Sequence, residues 1–291
     1  MDSELTCVID APQSNSPSVG LGGGDSATGD KVCLVRATGR PIVAPFARAL
    51  ALLASFTSKD LWCSGRELAA RTGLPPSTAI RISDTLVQLG YLHYSPVTRG
   101  YRLAAPVVAL GYGAIANSNA QRVARAQMGQ LAEQQRVHVH LSSRDRLETV
   151  ILESCSSSKT ASSHLKLDVG TRLGLASSPL GLALLAALPE VERYYLLEHL
   201  ERRAPRDWQL LRRRTGEGLS QVQRLGFCYS LGGWRAGLAM IALPVVVDGY
   251  APHVLSCVGS AAQMPRARVE LELGPRLVAM ADKIRYESAL A

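Results

Sequence analysis

The feature that most constrains the fold is a pair of closely spaced helix signals followed by a hairpin pattern, between Ser64 and Leu103. Ser64 and Glu67 form a capping-box pattern, in which the serine oxygen accepts the backbone N–H of Glu67 and the glutamate side chain reaches back. We expect this helix to end at Gly73, because glycine adopts the left-handed conformation of a helix stop at little cost. A second helix is predicted to follow after a turn of about three residues.

The second helix is predicted to begin at two prolines. Pro75 biases Leu74 to an extended conformation, while Pro76 or Ser77 can occupy the first turn, where a missing N–H costs nothing. A helical periodicity of about 100° per residue predicts a core-facing stripe of Ala79, Ile82, Leu86 and Leu89. The opposite, solvent-facing side is polar and comprises Ser77, Arg81, Asp84 and Gln88, flanked by Thr78 and Thr85. Gly90 is expected to end the helix.

A hairpin and a preceding helix complete the pattern. The segments "YLHY" and "GYRL" read as two short strands around the turn "SPVTR". Upstream, Phe46, Ala49, Leu50 and Leu53 recur at helical spacing and predict a first helix that ends near Phe56. Three helices with a short second turn, followed by a hairpin, predict a winged helix-turn-helix, whose third helix enters the DNA major groove. Double-stranded DNA is therefore the predicted partner.

The distribution of charge agrees with a DNA partner. The chain has a net charge of +8, and its segment 41–105 holds seven Lys and Arg against three Asp and Glu. No long uncharged apolar run and no basic, apolar signal segment is present, so we expect a cytoplasmic protein without a membrane partner. The six cysteines lie far apart without a Cys-x-x-Cys pair, which predicts reduced thiols rather than zinc ligands or disulfides.

The pattern along the chain predicts an α+β protein of several parts. Residues 1–40, rich in Gly, Ser and Pro, are expected to form a disordered leader before a DNA-binding domain at 41–105. A linker helix is predicted at 106–121. Alternating strand and helix patterns at 122–291 then predict a second domain with a mixed sheet and helices.

Three quoted stretches carry a resemblance to the IclR family of bacterial transcription regulators. These are "ELAARTGLPPSTAIRISDTLVQLGYL", "GYRLAAPVVALG" and "GTRLGLASSPLGLALLAALP". The resemblance implies a GAF-like mixed α/β effector-binding domain, a homodimer or tetramer on an operator, a small organic acid effector and, for an activator, contact with RNA polymerase. The segments "DWQLLRRR" and "GGWR" resemble the branch that controls degradation of hydroxylated aromatic acids such as hydroxyphenylpropionates.

Candidate site residues lie in both predicted domains. The helix and hairpin pattern predicts DNA contacts from Pro76, Ser77, Thr78, Arg81 and Arg99. The resemblance implies effector contacts from Ser177, Ser178, Leu180, Ser230, Met240 and Ser256.

Parts of the second domain bear on the ligand. Ser178 followed by Pro179 predicts a helix start, whose unpaired N–H groups attract a carboxylate. Where many family members carry His-Ala-Ser-Gly-Ala-Gly-Lys, this chain has Ala-Ser-Ser-Pro-Leu-Gly-Leu at residues 176–182. Ser230 replaces a residue that is usually acidic, and the loss of that negative charge suits an anionic or aromatic acid ligand. Trp234 and Arg235 are either a stacking ring and a carboxylate partner, or a core tryptophan and a surface arginine. The run Arg212 to Arg214 is most often a solvated surface run.

Enzymatic and metal-binding signatures are thin. The motifs Gly-x-Ser-x-Gly, Gly-x-x-x-x-Gly-Lys and His-Glu-x-x-His are absent, so we expect no catalytic residue and no cofactor. His138 and His140 alternate on a predicted strand and share a face, but no neighbouring Cys, Asp or Glu completes a metal site. Two alternatives stay open: an enzyme acting on an acyl or aromatic substrate with an accessory winged helix, and an architectural DNA-binding protein that has lost ligand binding.

Overall fold

The computed structural model describes residues 42–57, 60–116, 119–157, 167–247 and 251–289. These residues form two compact units that divide between Val108 and Ala109. The predicted leader lies outside the described residues. Within the part of the chain that is described, no helix is long and apolar enough to cross a membrane.

The first unit contains three helices and a small antiparallel sheet. Its elements, in chain order, are α1 (Ala44–Leu53), β1 (Cys63–Ser64), α2 (Gly65–Thr72), α3 (Pro76–Gln88), β2 (Leu92–Ser95) and β3 (Gly100–Leu103). The strands pair in the order β1-β3-β2. The predicted three helices and hairpin are thereby confirmed, although α1 ends at Leu53 rather than near Phe56.

The helix boundaries follow the local signals in the sequence. The Ser64 hydroxyl accepts the Glu67 N–H at 3.3 Å, and the Glu67 carboxylate accepts the Ser64 N–H at 2.7 Å. Gly73 and Gly90 both have a positive φ, of 67° and 79°, at the ends of α2 and α3. After α3, the N–H of Gly90 bonds to the carbonyl of Val87, and that of Tyr91 to Leu86, a paired arrangement that closes the last turn.

The predicted core-facing stripe of α3 is wrong at one residue. Ala79 and Leu86 are buried and Ile82 is half-buried, but Leu89 is 64% exposed. Leu89 lies at the edge of the stripe, at the capping position of the helix. Ser83, which lies beyond the other edge of the stripe, is fully buried instead, and its hydroxyl donates to the Ala79 carbonyl at 2.9 Å.

A paired carboxylate and guanidinium tie the segment after α1 to α2. The two Nη atoms of Arg71 donate to the two carboxylate oxygens of Asp60 at 2.6 and 2.8 Å, and Nη1 also donates to the Ser55 carbonyl. Thr57 donates its N–H and its hydroxyl to the same carboxylate. The hydrogen bonds from Arg71 hold the pKa of Asp60 well below its usual range.

Asp60→Asn is expected to lower the free energy of unfolding of the first unit at pH 7 by about 1–2 kcal/mol, a figure discounted because Arg71 is partly solvated. The pKa of Asp60 is lower in the folded chain, so its contribution is complete above the unfolded value of about 4 and is lost as the pH falls. The stability deficit of the variant should therefore shrink between pH 5 and pH 3. Hydrogen exchange of the α2 amides, measured in both proteins at each pH, gives this deficit. An equal deficit at pH 7 and pH 3 would contradict this assignment.

The second unit is a six-stranded sheet covered by helices. After α4 (Ala105–Ala116), which crosses the division between the units, its elements are α5 (Asn119–Gln135), β4 (His138–Asp145), β5 (Glu148–Ser156), β6 (Arg172–Gly174), α6 (Pro179–Ala187), α7 (Glu190–Arg203), α8 (Trp208–Leu225), β7 (Cys228–Leu231), β8 (Leu238–Val245), β9 (His253–Ser260), α9 (Arg266–Arg268) and α10 (Gly274–Ala289). A π-helical turn at Val269–Leu273 joins α9 to α10.

The strands of this sheet run in the order β6-β5-β4-β9-β8-β7. Every strand pairing in the described residues is antiparallel, so the predicted combination of strands and helices is confirmed but the expected mixed strand direction is wrong. The alternating apolar pattern marks a strand and its faces, whereas strand direction depends on which segments meet in space.

Each face of the sheet packs against its own helices. Val139 and Leu141 belong to an apolar cluster with α5 and α10, whereas Met240 and Val258 pack with α6, α7 and α8 on the other face. The first turn of α6 lies unusually close to the preceding segment, because a Cβ at Gly181 would stand 2.1 Å from the Leu175 carbonyl oxygen. Glycine at this position therefore fixes where α6 starts.

Candidate functional site

The start of α3 presents an exposed polar surface in the first unit. Pro76 occupies the first turn, Ser77 and Arg81 are exposed, and Thr78 is half-buried. No side chain caps the first turn of α3, so the positive end of the helix dipole is open to an anion such as a DNA phosphate. Four of the five residues predicted for DNA contact, Pro76, Ser77, Thr78 and Arg81, therefore lie within the first two turns of α3.

The fifth predicted DNA contact, Arg99, lies at the tip of the hairpin between β2 and β3. It is exposed and has a φ of 49°, in the left-handed region that non-glycine residues seldom adopt. The next outward arginine, Arg102, lies with its guanidinium carbon 4.8 Å from the centre of the Trp62 ring. The ring holds this cation on the exposed side of β3.

One hydrogen bond joins the hairpin to α3. The Tyr101 hydroxyl donates to Asp84 Oδ1 at 2.9 Å, and the Tyr101 ring belongs to the apolar cluster that contains Leu86. Burial and the adjacent carboxylate raise the pKa of Tyr101, so the hydroxyl keeps its proton. The helix and the hairpin are therefore held in one orientation.

The second unit contains an open cleft of about 160 Å³ between the start of α6, the middle of α8 and the end of β7. Ser177, Ser178 and Ser230, three of the six predicted effector contacts, line it. The other three are fully buried and do not line this cleft: Leu180, Met240 and Ser256. The remaining lining residues are Ala176, Pro179, Leu182, Arg214, Glu217, Gly218, Gln221, Tyr229, Gly233 and Trp234.

The serines of the cleft also serve the fold. The Ser178 hydroxyl accepts the Gly181 N–H at 3.2 Å and donates to the Gly174 carbonyl at 2.8 Å, which confirms the predicted cap of α6. The Ser230 hydroxyl accepts the backbone N–H of Trp234 at 2.9 Å and so shapes the turn after β7. Ser177 is exposed at the rim, where its hydroxyl remains accessible.

Arg214 supplies a cation that sequence reasoning assigned to a solvated run. It is half-buried in the cleft, and its Nη2 donates to the Gly233 carbonyl at 3.2 Å. The other arginines of the run, at 212 and 213, are exposed. The missed signal was the helical spacing of Leu211, Thr215 and Gly218, whose inward positions on α8 bring Arg214 beside the cleft.

Trp234 and Glu217 also line the cleft. The Trp234 ring is half-buried and lines it, whereas Arg235 is exposed, with its guanidinium carbon 5.3 Å from the centre of that ring. The Glu217 side chain is 63% exposed, and its Oε1 lies 3.6 Å from Arg213 Nε. An aromatic surface and a half-buried cation therefore meet at the start of α6, an arrangement suited to a planar anion.

Two observations on the described residues concern metal ions and nucleophiles. They contain no group of three or more His, Cys, Asp and Glu that could hold a metal ion. Cys228 lies beneath α6, where its thiol donates to the Pro179 carbonyl at 3.3 Å. Burial raises the pKa of Cys228 to about 12, so this thiol stays protonated and is not an activated nucleophile.

Comparisons with known proteins agree for both units. The model of the IclR helix-turn-helix domain matches residues 46–96, and the model of the bacterial transcriptional regulator IclR C-terminal domain matches residues 112–286. The HTH-type transcriptional regulator TsaQ1/TsaQ2 of Comamonas testosteroni is 31% identical over 257 residues, which cover 87% of this chain and 91% of that protein.

Solved structures extend the match. An IclR family transcriptional regulator from Brucella abortus is 34% identical, with a TM-score of 0.74 over 85% of this chain and 93% of that one. An IclR homologue from Microbacterium hydrocarbonoxydans, complexed with 4-hydroxybenzoate, is 26% identical, with a TM-score of 0.64 over 85% of this chain and all of that one (100%).

Proposed function

The chain belongs to the IclR family of bacterial transcriptional regulators, and from this premise we propose that it controls a catabolic operon in response to a small aromatic acid. The observation that carries the ligand class is the meeting of Arg214, Trp234 and the start of α6 at one cleft. We place its action in the cytoplasm, where its DNA target lies.

The DNA-reading role is assigned to the start of α3 and to the hairpin. Arg81 is proposed to contact base edges in the major groove, because its side chain is exposed one turn into the helix. Pro76, Ser77 and Thr78 would approach the phosphates and adjacent bases, and Arg99 would neutralise a phosphate or enter the minor groove. In this assignment, the phosphate contacts supply affinity for DNA of any sequence, and the base contacts supply the preference for one sequence.

A homodimer is the proposed functional unit, with a tetramer as its further assembly. Val43, which precedes α1, and Phe46 and Leu50 on its exposed side form an apolar surface suited to a second copy of the chain. Two copies would place their α3 helices about one DNA turn apart on a pseudo-palindromic operator. Contact with RNA polymerase would follow if the protein activates transcription.

The aromatic acid is proposed to bind with its carboxylate at Arg214 and at the start of α6, where the helix dipole is positive, and with its ring against Trp234. The 4-hydroxybenzoate bound to the relative from Microbacterium hydrocarbonoxydans supports this ligand class. Ligand binding controls DNA affinity only if the acid binds two conformations or assemblies unequally.

The direct test is footprinting and gel shift on the DNA upstream of the protein's own gene and its neighbours, with and without a panel of aromatic acids. We expect protection of two half-sites about one turn apart and a change in DNA affinity of about tenfold or more with the correct acid. Unchanged DNA binding and unchanged transcription across the panel would reject the sensor. Conversion of an acid to a product by the purified protein would favour the enzyme alternative.

Arg214→Gln is expected to weaken binding of a responsive acid about tenfold to a hundredfold, because a charge-assisted hydrogen bond contributes about 1.5–3 kcal/mol. Calorimetry with the acid measures the loss. Arg212→Gln is the matched control, since it removes the same charge from an exposed position on the same helix and should leave affinity unchanged. Equal losses in both variants would reduce the role of Arg214 to general electrostatic attraction.

A further inference from the structure

A second set of polar groups lies on the sheet itself and does not line the cleft. His140 on β4 stands directly opposite Ser154 on β5 and Ser256 on β9. Directly opposite residues of antiparallel strands project to the same face, so the three side chains are neighbours. This histidine–serine cluster lies on the face of the sheet that packs against α6.

The cluster has unsatisfied hydrogen-bonding capacity. Both ring nitrogens of His140 and the hydroxyl oxygens of Ser154 and Ser256 are buried and have no hydrogen-bond partner among the described residues. His138, one row away on the same face, instead has its Nδ1 2.9 Å from the Ser156 hydroxyl. A buried polar group without a hydrogen bond costs free energy of folding, so three adjacent ones indicate a binding site for a ligand that forms hydrogen bonds.

The cluster offers hydrogen bonds without charge. His140 is fully buried, and this burial, with a smaller effect of His138, lowers its pKa to about 3, so the ring is neutral at physiological pH. A neutral imidazole presents one N–H donor and one acceptor nitrogen, and each serine hydroxyl does both. A hydroxyl group, which also donates and accepts, matches this set, whereas a carboxylate would be buried there without a counter-charge.

The cluster lies within reach of the cleft along the sheet. Ser230 on β7, which lines the cleft, pairs with Met240 on β8, and the adjacent row runs from Cys228 through Ala242 to Ser256. Two strand spacings and two residues along the strand separate Ser230 from Ser256, which is roughly 12 Å between their Cα atoms. This separation is comparable with a single-ring hydroxy acid and one hydrogen bond at each end.

We propose that His140, Ser154 and Ser256 form a hydroxyl-binding subsite, which selects aromatic acids that carry a hydroxyl group remote from the carboxylate. The inference rests on the proposed effector cleft and names the substituent that the ligand must have. The cation and the helix start receive the charged end of the ligand, and the neutral cluster receives its hydroxyl. His140 is thereby a specificity-determining residue.

The test uses the full chain labelled with 13C and 15N in its histidines, titrated with 4-hydroxybenzoate, phenol and benzoate. We expect 4-hydroxybenzoate and phenol to shift the His140 ring signals, which His140→Gln assigns, and benzoate to leave them in place. Ser154→Ala and Ser256→Ala should lower the preference for 4-hydroxybenzoate over benzoate about tenfold each. Ser156→Ala, which removes the partner of His138, should keep that preference and serves as the control.

Three outcomes of the binding and signal measurements, and a fourth given after them, would overturn the subsite. These are equal affinity for 4-hydroxybenzoate and benzoate, an unchanged preference in both serine variants, and His140 signals that no hydroxylated probe moves at millimolar concentration. Equal shifts with all probes would mean that the cluster holds only water, which also rejects the inference. If the His140 signals and the preference behave as expected while DNA binding ignores every acid, the subsite stands and the proposed sensor function fails.

Discussion

Arg81→Ala is expected to weaken binding to the specific operator by about 1–3 kcal/mol, roughly fivefold to 150-fold, and to relax the base preference at one position of each half-site. The reason is its location: the side chain is exposed on α3 one turn beyond Pro76, where a recognition helix meets base edges. Gel shifts on the operator and on single-base variants of each half-site measure both effects.

The control for Arg81 separates base reading from charge. Arg48→Ala removes the same charge from an exposed position on α1. It should weaken binding to all DNA sequences by the same factor, which is smaller than the loss that Arg81→Ala causes on the operator. If Arg81→Ala weakens operator and unrelated DNA equally, and lowers the salt dependence by about one phosphate contact, Arg81 holds phosphate and does not read bases.

Gly181→Ala is expected to destabilise the second unit by about 3 kcal/mol or more, at the upper end of what overpacking costs. The new Cβ would stand 2.1 to 2.4 Å from three backbone atoms of Leu175, and no side-chain rotation relieves a clash between backbone-fixed atoms. To fold, α6 must move away from this segment, which opens the cleft at Ser178. Urea unfolding followed by the fluorescence of Trp208 and Trp234, which pack in the same apolar cluster, measures the loss.

Gly216→Ala provides the matched control for Gly181. Gly216 lies within α8, and a Cβ there would meet nothing within 4 Å. Alanine in an exposed helix interior is about 0.5–1 kcal/mol more favourable than glycine, so this variant should be slightly more stable than the natural chain. A small effect at both glycines would show that α6 can shift without cost.

The sequence predicted the first unit almost element by element because its signals are local. The capping box of Ser64, the stop at Gly73 and the prolines before α3 each depend on residues a few positions apart. Leu89 was misassigned because a stripe drawn at fixed angular spacing does not show where the helix ends. The left-handed conformation of Arg99 was also unpredictable, since only the closure of the hairpin imposes it.

The second unit was harder because its site depends on non-local packing. The helix α8 was not predicted, since Gly216 and Gly218 interrupt its pattern, and Arg214 was therefore left in a surface run. The resemblance indicated Ser177, Ser178 and Ser230, which the structure brings to one cleft, and also Leu180, Met240 and Ser256, which it buries. Their roles in ligand binding stay predictions.

Period-two alternation predicted that His138 and His140 share a face, but not their different surroundings. Only the strand register places Ser154 and Ser256 on either side of His140, and only helix packing removes water from that ring. The unsatisfied hydrogen-bonding groups of the cluster depend on β4 and β5 meeting β9, which lies much later in the chain. A pattern read along one segment does not contain them.

The hydrogen bond from Tyr101 to Asp84 has a consequence for operator length. It joins the hairpin to α3 within one apolar cluster, so the two elements approach DNA as a rigid pair. An extra base pair between their two contact points would displace one contact by about 3.4 Å along the duplex and rotate it about the axis. A rigid pair has no hinge that could follow this displacement. Operators of this regulator should therefore vary in sequence between the two contact points, but the number of base pairs between them should stay constant.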